Sequence, residues 1–135
     1  MEQLITCAMA ARELAYAPYS SYHVGAAVRG KSGKIYTGCN VENASYGATI
    51  CAERNAIWKA VSEGEKEILA LAIVGGPAGG DLSYAFPCGM CRQVLREFSD
   101  PDRIQIYVAK NTSDYKVYTL AELLPDSFGP DNLLP

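Results

Sequence analysis

Cys51-Ala52-Glu53-Arg54 and Pro87-Cys88-Gly89-Met90-Cys91 are the two stretches on which the fold turns. Each opens an apolar-periodic segment that follows a strand-like one, so three thiols and one carboxylate fall at the starts of two expected helices. Cys88 and Cys91 are three positions apart, and the first turn of a helix places them on one side. Cys51, far upstream, supplies a third sulfur. Three thiolates from two rigid elements make a zinc site with one tetrahedral position left for water, the mark of a catalytic rather than a structural zinc.

Glu53 decides what such a site is for. It lies two residues after Cys51, roughly 200° around an ideal helix, which is poor geometry for both side chains to bind one ion. A carboxylate beside a metal but not on it suits proton transfer. Three thiolates on a divalent cation leave a net charge of about −1 by formal counting, and the Arg54 guanidinium is placed to offset it. Helix N-termini favour thiolate at Cys51 and Cys88. A redox dithiol at Cys88 and Cys91 would leave Cys51 and Glu53 without a purpose. A structural zinc module would need four protein ligands, and no fourth stands at a suitable spacing.

Cys51-Ala52-Glu53 followed by Pro87-Cys88-Gly89-Met90-Cys91 resembles the signature of the zinc nucleoside and nucleobase deaminases, in the form with Cys as first ligand. The likeness extends to Ala17-Pro18-Tyr19-Ser20, Val24-Gly25-Ala26-Ala27, Gly38-Cys39-Asn40-Val41-Glu42-Asn43, Cys88 to Gln93 and Glu122-Leu123-Leu124-Pro125. Together these are similar to the small cytidine deaminases over nearly the whole chain. The resemblance implies a three-layer α/β/α fold around a five-stranded mixed sheet, one Zn2+ per subunit, and hydrolytic deamination of cytidine and deoxycytidine as in pyrimidine salvage. It also implies a homotetramer with shared active sites and Tyr46 near an interface.

The same resemblance assigns residues. Glu53 is the proton carrier, and Cys51, Cys88 and Cys91 are the ligands. Asn40 and Glu42, which spacing alone reads as turn chemistry, become the groups that grip the ribose hydroxyls. The Ala52 N–H meets the pyrimidine carbonyl oxygen, and the Phe86 carbonyl accepts from the leaving amine. Tyr22 stands where a Phe is usual and keeps an aromatic ring for stacking. Phe128 crosses into a neighbouring subunit's pocket. Phe86 is larger than the polar residue common there, and Met90 is larger than the usual Ala. A deaminase of another free base, nucleoside or aminopyrimidine antibiotic would share this chemistry and differ around Asn40 and Glu42.

The composition is compatible with this. A chain of 135 residues, 49% hydrophobic and 20% charged, is expected to be one domain, residues 1–135, with a real core. Its net charge of −3 and lack of a basic run favour a small-molecule partner over a nucleic acid polymer. No apolar run approaches the roughly 20 residues of a membrane span. Met1 to Cys7 lacks the pattern of a secretory signal. Three of the five cysteines are claimed by the metal, so Cys7 and Cys39 are read as buried thiols in a reducing cytoplasm.

In chain order, residues 2–16 read as an amphipathic helix through Leu4, Ala8, Ala11 and Ala15, with Leu14 beside them and Pro18 as its terminator. Tyr22–Arg29 and Ile35–Cys39 read as a hairpin turning at Lys31-Ser32-Gly33-Lys34. Cys51–Glu63 reads as a helix stopped by Gly64, with Trp58 in its core face. Leu69–Val74 is a strand buried on both faces, and Gly75–Gly80 a flexible loop. A helix from Pro87 to Phe98, strands at Ile104–Ala109 and Tyr115–Thr119, and a short helix at Ala121–Leu124 complete the reading. His23, the lone histidine, is taken as a surface or packing residue rather than a metal ligand.

Overall fold

The computed structural model describes residues 1–135. Its elements run α1 (Glu2–Arg12), β1 (Tyr22–Gly30), β2 (Ile35–Cys39), α2 (Ala52–Ser62), β3 (Ile68–Pro77), α3 (Gly89–Glu97), β4 (Gln105–Asn111), β5 (Asp114–Tyr118) and α4 (Leu120–Leu123). The five strands form one mixed sheet in the order β2-β1-β3-β4-β5. Only β3 and β4 are parallel, joined through α3; the other neighbours are antiparallel.

Strand alternation divides the core into two layers. Ala26, Val28, Leu71, Ile73, Ile106 and Val108 point to one face, under α2, α3 and α4. Ala27, Ala70, Ala72, Val74, Tyr107 and Ala109 point to the other, under Leu4, Ile5 and Ala8 of α1. This is the expected three-layer α/β arrangement, and β3 is buried on both faces as its continuous apolar run implies. No helix is long and apolar enough to cross a membrane.

Four expectations need correction. The first helix ends at Arg12 rather than residue 16, so Pro18 is not its stop. The Arg12 guanidinium turns away to donate to the carbonyls of His23 (2.9 Å) and Gly76 (3.1 Å). The chain then leaves through a turn to pair Tyr16 with Val41, which leaves Leu14 78% exposed. Second, Gly75, Gly76 and Pro77 belong to β3, because they pair with Val24, His23 and Tyr22. The glycines matter here as surfaces: the 80s segment folds back onto them, with the Ser83 N–H donating to the Gly75 carbonyl at 2.9 Å. Third, Trp58 lies on the outer side of α2, 47% exposed, with Arg54 over its ring at 6.0 Å. Ala52, Ala56, Ile57 and Ala60 take the sheet-facing side instead. Fourth, Cys7 and Cys39 are half-buried rather than fully enclosed.

The contact between α2 and the hairpin fixes where the site sits. A Cβ on Gly38 would lie 2.5 Å from the Ala56 nitrogen and 2.7 Å from the Ala52 carbonyl oxygen. Both are backbone atoms that cannot swing aside. Gly38→Ala should therefore lift the first turn of α2 off β2 and destabilise the fold by about 3 kcal/mol, as read from urea unfolding. An unchanged midpoint would mean the helix does not bear on this strand.

Candidate metal centre and active site

Both cysteine-bearing helices begin in the same way. Cys51 is the N-cap of α2 and Cys88 the N-cap of α3, each in extended backbone and neither using its side chain as a cap. The leading N–H groups of each helix therefore have no intrahelical partner, and two positive helix ends converge on the sulfurs. Cys91 lies within the first turn of α3. The Cys51 Sγ is 3.8 Å from that of Cys88, and the Cys88 Sγ is 3.5 Å from that of Cys91. All three sulfurs lie within 4.8 Å of one another, and no other His, Cys, Asp or Glu joins the cluster.

The charges are arranged around that cluster. Arg54 donates from Nη2 to the Cys51 Sγ at 3.4 Å. The Cys91 thiol, ahead of Arg54, pulls the Cys51 thiol down to about 5. Its sharing with Cys51, together with burial, pushes Cys91 up. Glu53 is 4% exposed. Burial first, and then the neighbouring Cys51 thiolate, raise its carboxyl to about 7. A carboxyl that gains and loses a proton near neutrality is suited to proton transfer.

Cys51, Ala52, Glu53 and Cys88 form one wall of a cavity of about 390 Å3, within the ~300–1,000 Å3 of small-molecule sites. Tyr22 and Val24 of β1, Asn40 and Glu42 after β2, Ile73 of β3, and Tyr84 to Phe86 supply other parts of its lining. The Ala52 N–H has no backbone partner, and neither has the Phe86 carbonyl.

The cytidine and deoxycytidylate deaminase zinc-binding region matches residues 1–108. The cytidine deaminase of Sporosarcina psychrophila is 44% identical over 98% of this chain and 94% of its own. That of Halalkalibacterium halodurans is 42% identical over 98% and 96%. The crystal structure of cytidine deaminase from Burkholderia pseudomallei superposes with a TM-score of 0.83, at 44% identity over 93% of this chain and 97% of that one. The chain belongs to the cytidine and deoxycytidylate deaminase family. The matched region contains all three clustered cysteines and Glu53.

The cysteines fit the metal of this zinc-binding deaminase family. Sulfurs at about 2.3 Å from a tetrahedral zinc stand about 3.8 Å apart, close to the Cys51–Cys88 and Cys88–Cys91 spacings. They are well beyond a disulfide's length, and all five cysteines are free.

The other residues expected at the cavity make these contacts within the chain. Asn40 is 9% exposed; its Oδ1 accepts the Val24 N–H at 2.9 Å and its Nδ2 donates to the Tyr22 carbonyl at 2.8 Å. Glu42 accepts from the Tyr19 and Ser20 N–H groups and from the Ser20 hydroxyl. The Tyr22 hydroxyl pairs with the Ser83 hydroxyl at 2.8 Å. Phe86 is 43% exposed and meets Tyr118 edge-on at 5.6 Å. Met90, 63% exposed, does not line the cavity. Phe128 is not brought to the cavity of its own chain. It stands 59% exposed beyond α3, where its carbonyl accepts from Gln93 Nε2 at 2.9 Å. His23 stays clear of the sulfur cluster.

Ser20 and Tyr84 line the cavity but were given no role from the sequence. Tyr84 donates to Asp114, and the ammonium groups of Lys110 and Lys116 lie 4.6 and 4.5 Å from its ring centroid. The only trace of this in the sequence is a basic, Asp-containing hairpin, whose contact with the 80s segment depends on the fold.

Proposed function

We propose that this chain hydrolyses cytidine and deoxycytidine to uridine and deoxyuridine with release of ammonia. One observation carries the reading: a buried Glu53 carboxyl beside three clustered thiols, on the wall of a cavity of small-molecule size. When held by Cys51, Cys88 and Cys91, zinc lowers the pKa of water so that hydroxide is available near neutral pH.

Glu53 does the proton work. As water adds to ring carbon C4, its carboxylate takes up one water proton and delivers it to ring nitrogen N3. It then carries the remaining hydroxyl proton to the amino nitrogen. The C4–N bond breaks, ammonia departs and C4 becomes a carbonyl.

Positioning falls to the rest of the lining. The Ala52 N–H, free at the start of α2, donates to the ring carbonyl oxygen. The free Phe86 carbonyl accepts from the amino group, and the Tyr22 ring packs on the base. The amide hydrogen that Asn40 does not spend on Tyr22 and the remaining lone pairs of Glu42 are offered to the sugar hydroxyls. Arg54 offsets the charge of the sulfurs.

Ammonia release from the zinc-loaded protein tests the reading. Cytidine and deoxycytidine should turn over and free cytosine should not. A preference for cytosine would make this a base deaminase with the same proton chemistry.

We further propose one domain per chain, a cytoplasmic location, which suits five free thiols, and a homotetramer in which Phe128 enters a neighbour's cavity. Phe128 is exposed and remote from its own cavity, and Tyr46 is 76% exposed. Phe128→Ala should raise KM about tenfold, the scale of one lost aromatic contact, with zinc content unchanged. Identical kinetic constants would remove Phe128 from the site, and a monomer by sedimentation would remove the shared cavity.

A further inference from the structure

We infer that Ser20 is a positioning residue for sugar recognition, its hydroxyl fixing the Glu42 carboxylate in the cavity. The inference rests on the reading of Glu42 as sugar-facing.

A single turn places three donors on that carboxylate. Oε1 accepts the N–H groups of Tyr19 at 2.9 Å and Ser20 at 3.1 Å. Oε2 has one donor, the Ser20 hydroxyl. The direction of that hydroxyl is settled by its other neighbour: the Tyr22 N–H donates to Ser20 Oγ at 3.1 Å, which leaves the hydroxyl hydrogen for Glu42. Ser21 makes this possible by adopting φ +57°, left-handed backbone that is uncommon outside glycine. The chain thereby reverses so that the Ser20 hydroxyl reaches both Tyr22 and Glu42.

Ser20 thus joins the residues proposed to hold the substrate. It touches Tyr22 and Glu42 directly, and Tyr22 in turn receives the Asn40 amide on its carbonyl. The same hydroxyl, ahead of the two N–H groups, holds the Glu42 carboxyl below its ordinary range, so the carboxylate stays an acceptor for sugar hydroxyls. Remove the hydroxyl, and Oε2 has no donor. The terminal carboxylate torsion, broad by nature, is then held only through Oε1, and its free oxygen no longer has one direction. Ser20 acts through Glu42, so the loss should appear as weaker sugar discrimination rather than slower chemistry.

The test compares inhibition constants of uridine and 2′,3′-dideoxyuridine against cytidine turnover by the zinc-loaded full chain. Ser20→Ala should weaken uridine about tenfold and change dideoxyuridine less than about twofold, the scale of one charge-assisted hydrogen bond. Ser20→Thr, which keeps the hydroxyl, should restore uridine binding. Equal losses for both ligands, or no loss for either, would overturn the inference. Ser20→Cys, a weak donor of similar size, gives the same comparison if the Ala variant does not fold. Glu42→Ala separates the two layers of the argument. If it leaves the uridine preference intact, Glu42 is not sugar-facing and the underlying reading fails. If it abolishes the preference while Ser20→Ala does not, only the role of Ser20 fails.

Discussion

Glu53→Gln should lower kcat for cytidine by about 10⁴-fold while zinc stays bound to the chain. Gln keeps the shape and the hydrogen-bonding reach of the side chain but cannot accept and return a proton. The three sulfurs are untouched, and Glu53 lies outside their cluster, so metal content by elemental analysis should match wild type. A near-normal rate would place the proton carrier elsewhere. Loss of zinc along with activity would make Glu53 a ligand. A second readout comes from stability. In the metal-free protein the Glu53 carboxyl is raised from 4.5 to about 7, chiefly by burial. The folded state therefore binds more protons than the unfolded state between those pH values, and stability falls as pH rises through that window. Above about pH 7 the buried charge costs on the order of 3 kcal/mol. Metal-free Glu53→Gln should accordingly be more stable than wild type at pH 8 and gain little at pH 4. Equal melting temperatures at both pH values would mean that the carboxylate is solvated.

How much of this is legible in the sequence depends on the range of each signal. The strand and helix order is, because β1, β3 and β4 carry apolar runs and α2 and α3 open at a Cys followed by periodic apolar residues. The convergence of Cys51, Cys88 and Cys91 is legible for a similar reason: one short motif fixes two sulfurs on one turn of α3, and a second opens α2 with the third. What spacing misses is set by long-range competition. The first helix keeps its period to Ala15, yet Arg12 finds better partners in the carbonyls of His23 and Gly76 and the chain turns away. Gly75 and Gly76 have loop composition, yet pairing with β1 makes them strand. Trp58 has core chemistry, but the alanines of α2 take the face that lies close on the sheet. Ser20 shows the limit most clearly. Nothing within its own segment points to Glu42, 22 positions away, because the contact exists only after the two loops meet beside β1.

Cys91→Ala should abolish activity and lower zinc affinity by several orders of magnitude. The removed ligand is 1% exposed at the inner end of the cluster, where water is a poor replacement for a thiolate, and two remaining sulfurs cannot define a tetrahedral site. Wild-type zinc affinity should also fall with decreasing pH, and the direction follows from the thiols. Without metal, Cys51 is the thiolate, at about 5, while Cys91 is held protonated by sharing with it and by burial. Zinc binds thiolates, so uptake must release the thiol protons that remain, and acid opposes it. Calorimetric titration near pH 7 in buffers of different ionisation enthalpy should show net release of protons as zinc is taken up, the Cys91 thiol proton among them. Chelation should remove activity and added zinc restore it. Full turnover from protein stripped of metal would mean the sulfurs serve only the fold, and pH-independent uptake would mean the three are already thiolates before the ion arrives. In that case Arg54 and the ends of α2 and α3 would be holding about three negative charges, far more than one guanidinium at 3.4 Å from a single sulfur can balance.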